Sequence, residues 1–598
     1  MRSSNSVIAW SMRNFRITFL IVGCLFVFGI YALARIPKQE FPEYTIRQGV
    51  VVGVYPGATA EEVEEQLAKP LEQFLMTYKE VKRAKTTSTS QNGMCYVMVE
   101  LNDDVNDKDE VWSKVKHGLA AFKMQLPAGV AAVVTNDDFG DTSALLITLE
   151  SDTRSYRELK GYMDDLSDRL RRIESVSNLR PYGVQQEQIS VYADPERLAA
   201  YGIGEKTLSA ALVAQGLTPL GGSVSNAETE TPIHIAPSLA GEREVAEQIV
   251  WSDPEGHVLR VKDVARVVRE YDDPDSYIRN NGHRCVLLSL EMQAGNNIVE
   301  YGREVDEVLH AFIEEELPAD VSVQRIADQA KVVGDSVHSF LRDLFVAMAI
   351  IIVVMMLLDY LGRGHSQWFA AVESAREFFP SLLLATICIC MIFYPILFTM
   401  TGMMGDFLTW FPWTITINLM VSLLLAVMVI PFLEILIIPA VHVRRDGRRS
   451  FTDRVHDVYR RVLAWTFRHG WLTISLGAAS VVVSLLIATQ LKFRMVPFAD
   501  RDQFAVEIYL RPDTPLERTG AVADSVYRAL RADERVKSVT SFVGCSSPRF
   551  QMSYAPQIAG KNYAQFIVNT TSVDDTESIL DEYADAWADR FPEAYVKF

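Results

Sequence analysis

One carboxylate in this chain is placed where an ion-coupling group would be expected. Glu434 is the only acidic residue well inside a long apolar stretch, Trp413–Ile438. A charged group in hydrocarbon is costly, so a residue of this kind is by default a candidate for proton or ion uptake. Glu434 lies near one end of its stretch, and we therefore favour an interfacial or paired role over a proton-carrying one.

The sequence contains no complete motif for metal binding, nucleotide binding or catalysis. His338 and His365 have no partner at metal-ligand spacing, so we interpret both as loop histidines. Cys388-x-Cys390 is not a metal spacing either and fits one turn of a membrane helix. The sequence contains no Walker motif and no nucleophile–base signature. We predict a protein that is not an enzyme and that uses no cofactor and no metal.

The apolar stretches that position such groups are spaced unevenly. A long soluble-looking region, residues 36–338, separates the first stretch from the others. Each stretch approaches the roughly 20 residues that a helix needs to cross a bilayer. The five predicted spans are Ile17–Ala34, Phe340–Leu358, Phe378–Met400, Trp413–Ile438 and Trp471–Gln490. The formal net charge of -18 argues against a nucleic-acid partner.

Arginines indicate the orientation of these spans. Arginines precede the first span, and eight more lie between the fourth and fifth spans, in Pro439–Gly470. The positive-inside rule places both regions in the cytoplasm. Residues 36–338 and 491–598 then lie on the outer side. Within the arginine-rich segment, the amphipathic stretch Phe451–Phe467 is expected along the inner membrane surface, with a solvated helix as the alternative.

The two outer regions contain repeated strand–helix–strand units. The first copy includes a helix capped by Thr59 and a hairpin at Gln91-Asn92-Gly93. The second copy is interrupted by an inserted subdomain at about 203–275, and the third follows the last span. Split βαβ units of this kind predict ferredoxin-like α/β sandwiches. The chain stops inside the last predicted strand of the third copy, so we expect a C-terminal truncation.

Several local motifs together resemble the permease subunits of resistance-nodulation-division (RND) efflux pumps, in the hydrophobe/amphiphile branch. They run collinearly over nearly the whole chain, and their combination is specific although each alone is weak. The matching segments are Ile36-Pro37 through Phe41-Pro42-Glu43, Tyr55-Pro56-Gly57-Ala58-Thr59-Ala60-Glu61-Glu62-Val63-Glu64, Lys69-Pro70-Leu71-Glu72, Asp194-Pro195-Glu196-Arg197-Leu198 with Tyr201-Gly202-Ile203, and Gly216-Leu217-Thr218-Pro219-Leu220-Gly221-Gly222.

The resemblance implies a multi-pass α-helical membrane protein with α+β periplasmic porter domains built from ferredoxin-like βαβ repeats. The expected divisions are an N-terminal transmembrane helix at 1–35, porter subdomain 1 at 36–135, porter subdomain 2 with a docking insert at 136–338, transmembrane helices and cytoplasmic loops at 339–490, and an incomplete porter subdomain 3 at 491–598. It also implies a homotrimer in the bacterial inner membrane that works with a periplasmic adaptor protein and an outer-membrane channel.

The sequence departs from that family in its membrane region. The family has twelve membrane helices, and its fourth helix carries two adjacent aspartates that take up protons. Here the chain passes directly from Leu358 into Asp359, and the third and fourth helices of the family have no counterpart. We therefore predict that proton antiport belongs to the complete protein and that this chain alone cannot perform it. A membrane-anchored binding or scaffold module, or a lipid- or polypeptide-transporting relative, remains an alternative.

Aromatic residues are the candidates for contact with hydrophobic and amphiphilic substrates. By resemblance, the pocket lies between the second and third porter subdomains, beside a loop at about 544–561. The candidate residues, with Met552 in the same loop, are Tyr182, Phe542, Phe550, Tyr554 and Phe566. Stacking and apolar contact suit varied greasy ligands because they need little directional matching. The alternative is that these aromatics form ordinary sandwich core.

Overall fold

The structure is a computed structural model of the 598-residue chain. It describes residues 10, 13–40, 42, 44–105, 107–138, 142–216, 223–225, 230–232, 241–252, 256–358, 367–437, 451–490, 501–551, 554–558, 560–587 and 590–598. The chain divides into two compact units, which are described separately. The first unit is Met1–Asp141, Met292–Arg303 and Asp328–Arg501, and the second is Thr142–Glu291, Glu304–Ala327 and Asp502–Phe598.

The first unit contains a four-stranded antiparallel sheet in the order β2-β3-β1-β4. This is the strand order of a ferredoxin-like split βαβ fold. The elements are α1 (Phe15–Arg35), β1 (Gln48–Val54), α2 (Ala60–Val63), α3 (Lys69–Leu75), β2 (Thr87–Gln91), β3 (Met94–Glu100), α4 (Lys108–Phe122) and β4 (Ala132–Asn136). A π-helical segment, Glu64–Ala68, joins α2 to α3. Fully buried residues of these helices and of α4, including Leu67, Leu71 and Trp112, pack against Val97 and Val99 of the sheet.

Local sequence signals define this repeat well. The Thr59 side chain accepts a hydrogen bond from the Glu62 backbone and Glu62 reciprocates, which completes a capping box and confirms Thr59 as the N-cap. The hairpin is also confirmed, with Gly93 in the turn at φ +82°. A 3₁₀ turn at Arg83–Lys85 precedes β2.

The second repeat has the same order of strands. The sheet runs β15-β5-β14, and β6 also pairs with β14. The elements of this region are β5 (Leu145–Glu150), α5 (Tyr156–Leu170), β6 (Val176–Tyr182), β7 (Glu187–Ala193), α6 (Pro195–Ala200), α7 (Glu205–Gly216), β8 (Ser223–Ser225), β9 (Glu230–Pro232), α8 (Glu242–Ala246), β10 (Ile249–Ser252), β11 (Val258–Arg260), α9 (Val261–Val264), β12 (Ala265–Tyr271), β13 (Tyr277–Asn280), β14 (His283–Met292), α10 (Ile298–Glu315) and β15 (Ser322–Asp328).

Residues Ile189–Ala193 lie in strand β7, which does not join the sheet of the second repeat. The strand β7 leaves the repeat and pairs along seven residues with β12, which belongs to the insert. The physical reason is that β15, β5, β14 and β6 already fill the four places of a split βαβ sheet. The insert has its own apolar cluster around Leu259, Val261 and Val264.

Five long helices and one short one follow the second repeat within the described residues. They are α11 (Gln329–Leu358), α12 (Gln367–Thr399), α13 (Gly402–Leu408), α14 (Phe411–Ile437), α15 (Phe451–Arg468) and α16 (Gly470–Gln490). Within the described residues, four stretches are long and apolar enough to cross a membrane: Phe15–Arg35, Phe379–Thr399, Gly402–Ala426 and Gly470–Thr489. The span predicted at Phe340–Leu358 lies within α11, but most of its side chains fall outside the described residues. That span and the orientation therefore stay predictions.

The third repeat again has the ferredoxin-like strand order, β17-β18-β16-β19. Its elements are β16 (Gln503–Tyr509), α17 (Leu516–Arg531), β17 (Val536–Val543), β18 (Tyr563–Thr570), α18 (Val573–Ala586) and β19 (Tyr595–Lys597). The short strand β13 pairs with β14 on one side and with β17 on the other. Repeats two and three therefore share one nine-stranded sheet, which the sequence did not reveal.

Candidate aromatic binding site

Strand register separates the predicted aromatic residues onto two faces of the third repeat. Phe542 of β17 lies opposite Gln565 of β18, whereas Phe566 lies opposite Ser541. Because successive side chains alternate between faces, Phe542 and Phe566 point in opposite directions. Phe566 has no exposed surface and packs under α17 and α18 with Val506 and Val568. Its position is that of an ordinary core residue of the sandwich.

The other four candidates come together on the face that carries no helix of the third repeat. Phe542, Phe550 and Tyr554 belong to one buried cluster, and the half-buried Tyr182 packs against it. The rings of Phe550 and Tyr554 are stacked, with centroids 5.2 Å apart and 28° between their planes. Residues 544–561, which we call the covering loop, place these two rings over the sheet. Met552 lies outside the described residues.

A buried glutamine fixes the covering loop to the sheet. The Gln565 Oε1 atom accepts hydrogen bonds from the Ser547 backbone N–H at 2.7 Å and the Ser546 hydroxyl at 3.0 Å, and its Nε2 donates to Ser547 Oγ at 2.8 Å. The hydroxyls of Ser546 and Tyr554 are 3.0 Å apart. Because Gln565 is fully buried, leaving its amide without partners would be costly. The loop is therefore held by polar contacts as well as by its rings.

The covering loop has a second attachment, on the segment that precedes β5 of the second repeat. The Ser143 backbone N–H donates to the Arg549 carbonyl oxygen at 2.8 Å, next to a bridge between Thr142 and Arg549. The Ser143 hydroxyl is 2.7 Å from the hydroxyl of Ser289 on β14. The loop thus spans repeats two and three within the same unit, so a movement between those repeats would pull on it.

The cluster is apolar and uncharged at neutral pH. Burial raises the pKa of Tyr554 to about 12 and that of Cys545 to about 12. Burial also raises the pKa of Tyr182, the nearby Arg180 lowers it by less, and Glu291 adds a smaller rise. These groups stay protonated, so the site offers ring faces, apolar surface and hydroxyl donors. Such an arrangement suits hydrophobic or amphiphilic ligands and provides no nucleophile for catalysis.

Other candidate groups are not assembled into a site. Among the described residues, no group of three or more His, Cys, Asp or Glu side chains is arranged to hold a metal ion. Glu434 lies on α14, but its side chain falls outside the described residues, as does His365. Sequence reasoning missed Gln565 and Ser546, since neither residue type stands out. The available signal was an amide, Gln565, between apolar neighbours in β18, together with the Gly-Cys-Ser-Ser segment that follows β17.

Comparison with known proteins agrees with this architecture. The model of the AcrB/AcrD/AcrF family matches residues 7–363 and 358–586, so the chain belongs to this family of RND permeases. Multidrug resistance protein MdtC of Yersinia pseudotuberculosis serotype O:1b is 25% identical over 350 residues, and MdtC of Yersinia pestis is equally similar. These alignments cover 58% of this chain and 34% of each relative. The matched part is therefore about a third of the relatives' length.

Proposed function

We propose that the chain is part of an inner-membrane RND permease that exports hydrophobic and amphiphilic compounds, driven in the complete protein by proton antiport. Family membership and the apolar helices support the membrane role. The single observation that carries the substrate class is the cluster of Tyr182, Phe542, Phe550 and Tyr554 beneath the covering loop. This cluster is uncharged and combines residues of two repeats. An uncharged, apolar pocket of this kind suits hydrophobic ligands of varied shape.

In this proposal, the covering loop moves away from the sheet to open the pocket. Phe542 and Phe550 have no exposed surface in the described state, so a ligand reaches them only when the loop lifts. Lifting exposes the rings of Phe550 and Tyr554 on one side and Tyr182 on the other. The attachment at Arg549 links this opening to a shift between the second and third repeats. Phe566 stays in the core throughout and takes no part.

The pocket is tested by alanine substitution at the position of Tyr182 in a complete relative. Loss of one ring contact is worth about 0.5–1.5 kcal/mol, or roughly 2- to 10-fold in affinity. We expect an altered spectrum of resistance at unchanged protein level. Tyr595, an exposed aromatic of β19, gives the matched control. Identical resistance profiles for the two variants would exclude Tyr182 from the pocket.

We further propose the domain boundaries given above, a homotrimer, and assembly with a periplasmic adaptor and an outer-membrane channel through the insert at 203–275. Part of the insert, including residues 217–222, lies outside the described residues. The support is the collinear family match together with three ferredoxin-like repeats. Crosslinking of a complete relative to its adaptor through cysteines placed in the insert tests this assignment, and labelling confined to the membrane helices would contradict it.

A second candidate is a binding module that does not transport. It is favoured by the family match, which comes in two pieces meeting at 358–363, where the sequence has no counterpart of the proton-binding helices. Reconstituted into liposomes with a proton gradient, the chain should bind a fluorescent hydrophobic dye without moving it. Efflux of the dye that is abolished by a protonophore would refute this candidate and the predicted dependence on the absent helices.

A further inference from the structure

An open groove runs along the helical side of the third repeat. It has a volume of about 340 Å³, and its walls come from one side of α17, between Arg518 and Arg528, and from the segment Phe591–Glu593. Pockets that hold drug-sized ligands have volumes of about 300–1,000 Å³, so this groove can take a small organic molecule. The helix α17 packs over the core that contains Phe566, whereas the aromatic cluster lies on the opposite face of the sheet. The groove is therefore separate from the candidate binding site described above.

The floor of the groove is apolar. Val522 is buried and Phe591 is half-buried, and both take part in the apolar packing of the third repeat. The Phe591 ring makes an edge-to-face contact with Trp587, with the two ring centroids 5.6 Å apart. Ala521 is exposed, and its small side chain leaves the middle of the groove open. This surface suits an aliphatic or aromatic group of a ligand.

The charged side chains around the groove leave one cation available. At one end, Arg518 forms an ion pair with Glu593. Arg528 lies at the other end, about 15 Å further along α17. Asp524, one turn before Arg528 on the same helix, pairs instead with Arg279, with the two charged groups 3.4 Å apart. Both acidic neighbours are therefore engaged with other arginines.

The guanidinium of Arg528 has donors to spare. Its Nε donates to the Asp524 carbonyl oxygen at 3.2 Å, and its Nη2 donates to the Ser525 hydroxyl at 3.3 Å. Both contacts are long, and they use two of the five N–H donors of an arginine. Within the part of the chain that the structure describes, Arg528 has no carboxylate partner. A carboxylate bound in the groove can accept two parallel hydrogen bonds from this guanidinium.

We propose that the groove binds an organic anion with an apolar body, such as an arylalkyl carboxylate. The carboxylate pairs with Arg528, and the apolar body covers Val522 and Phe591. A cation would be repelled by the guanidinium, and a neutral molecule would gain no ion pair. Eight residues line the groove, whereas a stable protein interface uses about 20–30 residues on each side, so a small molecule is the better fit. This inference goes beyond the proposed function and does not rest on it.

Isothermal titration calorimetry of the full chain in phosphatidylcholine nanodiscs tests the proposal, with 4-phenylbutyrate as the probe and empty discs as the blank. We expect saturable binding of 4-phenylbutyrate. The uncharged 4-phenylbutyramide should bind about fivefold more weakly, which is the effect of one exposed ion pair. The substitution Arg528→Gln should weaken the binding of 4-phenylbutyrate by about the same factor. Acetate, which has the charge but no apolar body, should not displace the probe.

Two further variants control the assignment to this groove. Arg511→Gln removes the same charge from an exposed position before α17, outside the groove, and should leave binding unchanged. Ala521→Glu places a carboxylate in the middle of the groove at an exposed helical position and should abolish binding. Equal affinities of the Arg528→Gln and Arg511→Gln variants, or full affinity of Ala521→Glu, would overturn the proposal, as would equal binding of the amide. The unfolding midpoint of each variant is measured alongside, so that a loss of binding through misfolding is recognised.

Discussion

Replacing Arg47 by alanine should destabilise the first unit by about 2–4 kcal/mol. Arg47 precedes β1, and its side chain is only 5% exposed. Its guanidinium donates to Asp406 Oδ2 at 2.7 Å and Oδ1 at 3.4 Å, and to the Val105 carbonyl oxygen at 2.8 Å. Asp406 belongs to the short helix α13 between two apolar helices. This pair is a direct polar link between the first repeat and the predicted membrane region.

The size of this loss of stability follows from the Asp406 charge that is left without its partner. Deleting one partner of a buried ion pair costs about 3–5 kcal/mol, because the other charge is left without compensation. Asp406 keeps 27% of its side-chain surface exposed and still accepts from the Thr45 backbone N–H at 3.3 Å, which reduces the cost. The surface pair of Lys114 and Glu110 has similar contact at 2.6 Å but is more than half exposed on both sides. Its loss should cost less than about 0.5 kcal/mol.

The assay is a double-mutant cycle on the purified chain in detergent, with unfolding followed by denaturant titration. Arg47→Ala, Asp406→Ala and the double variant give the coupling energy of the pair, and Lys114→Ala gives the control. We expect a coupling of about 1.5–3 kcal/mol, since the double variant no longer buries a lone charge. Strictly additive single effects would refute the reasoning, because they would show that the two side chains do not stabilise each other.

Three further predictions concern the remaining structure. Gln565→Leu should release the covering loop and speed tryptic cleavage after Arg549, because it removes the hydrogen bonds to Ser546 and Ser547 while keeping the volume. Asp533→Asn should destabilise the chain at pH 7 but progressively less below about pH 4. Hydrogen bonds from Arg535 hold the pKa of Asp533 below its usual range, so its stabilisation is present above the unfolded pKa and lost on acidification. Gly402→Ala should cost about 1 kcal/mol, because Gly402 has φ +68°.

Each of these has a neutral or opposite control. Gln557→Leu changes a half-buried glutamine of the same loop, whose side-chain amide donates to the Ala555 carbonyl oxygen, and should not alter cleavage; equal cleavage of both variants would exclude the polar anchor. Asp581→Asn changes an exposed carboxylate of α18 and should leave the free energy of unfolding nearly unchanged at pH 7. Gly161→Ala lies in α5 with open space around it and should stabilise by about 0.5–1 kcal/mol. A Gly402→Ala variant as stable as the parent would contradict the assigned backbone strain.

The sequence by itself determined the local structure and the class of protein. The capping box at Thr59, the Asn92-Gly93 turn and the alternating strands depend on neighbours in the chain, so their residue types predict them directly. Three of the predicted spans, Ile17–Ala34, Phe378–Met400 and Trp471–Gln490, were readable for the same reason and correspond to apolar helices of the structure.

Only the tertiary structure decided which residues meet. Phe542 and Phe566 both sit on strands of the third repeat, and the register between β17 and β18 alone sends them to opposite faces. The departure of β7 to the insert was likewise decided by competition for places in a sheet. Arg47 and Asp406 are 359 positions apart, and no local pattern pairs them. Contacts of this kind arise from packing between distant segments, and a one-residue change in register would rearrange them without altering any local propensity.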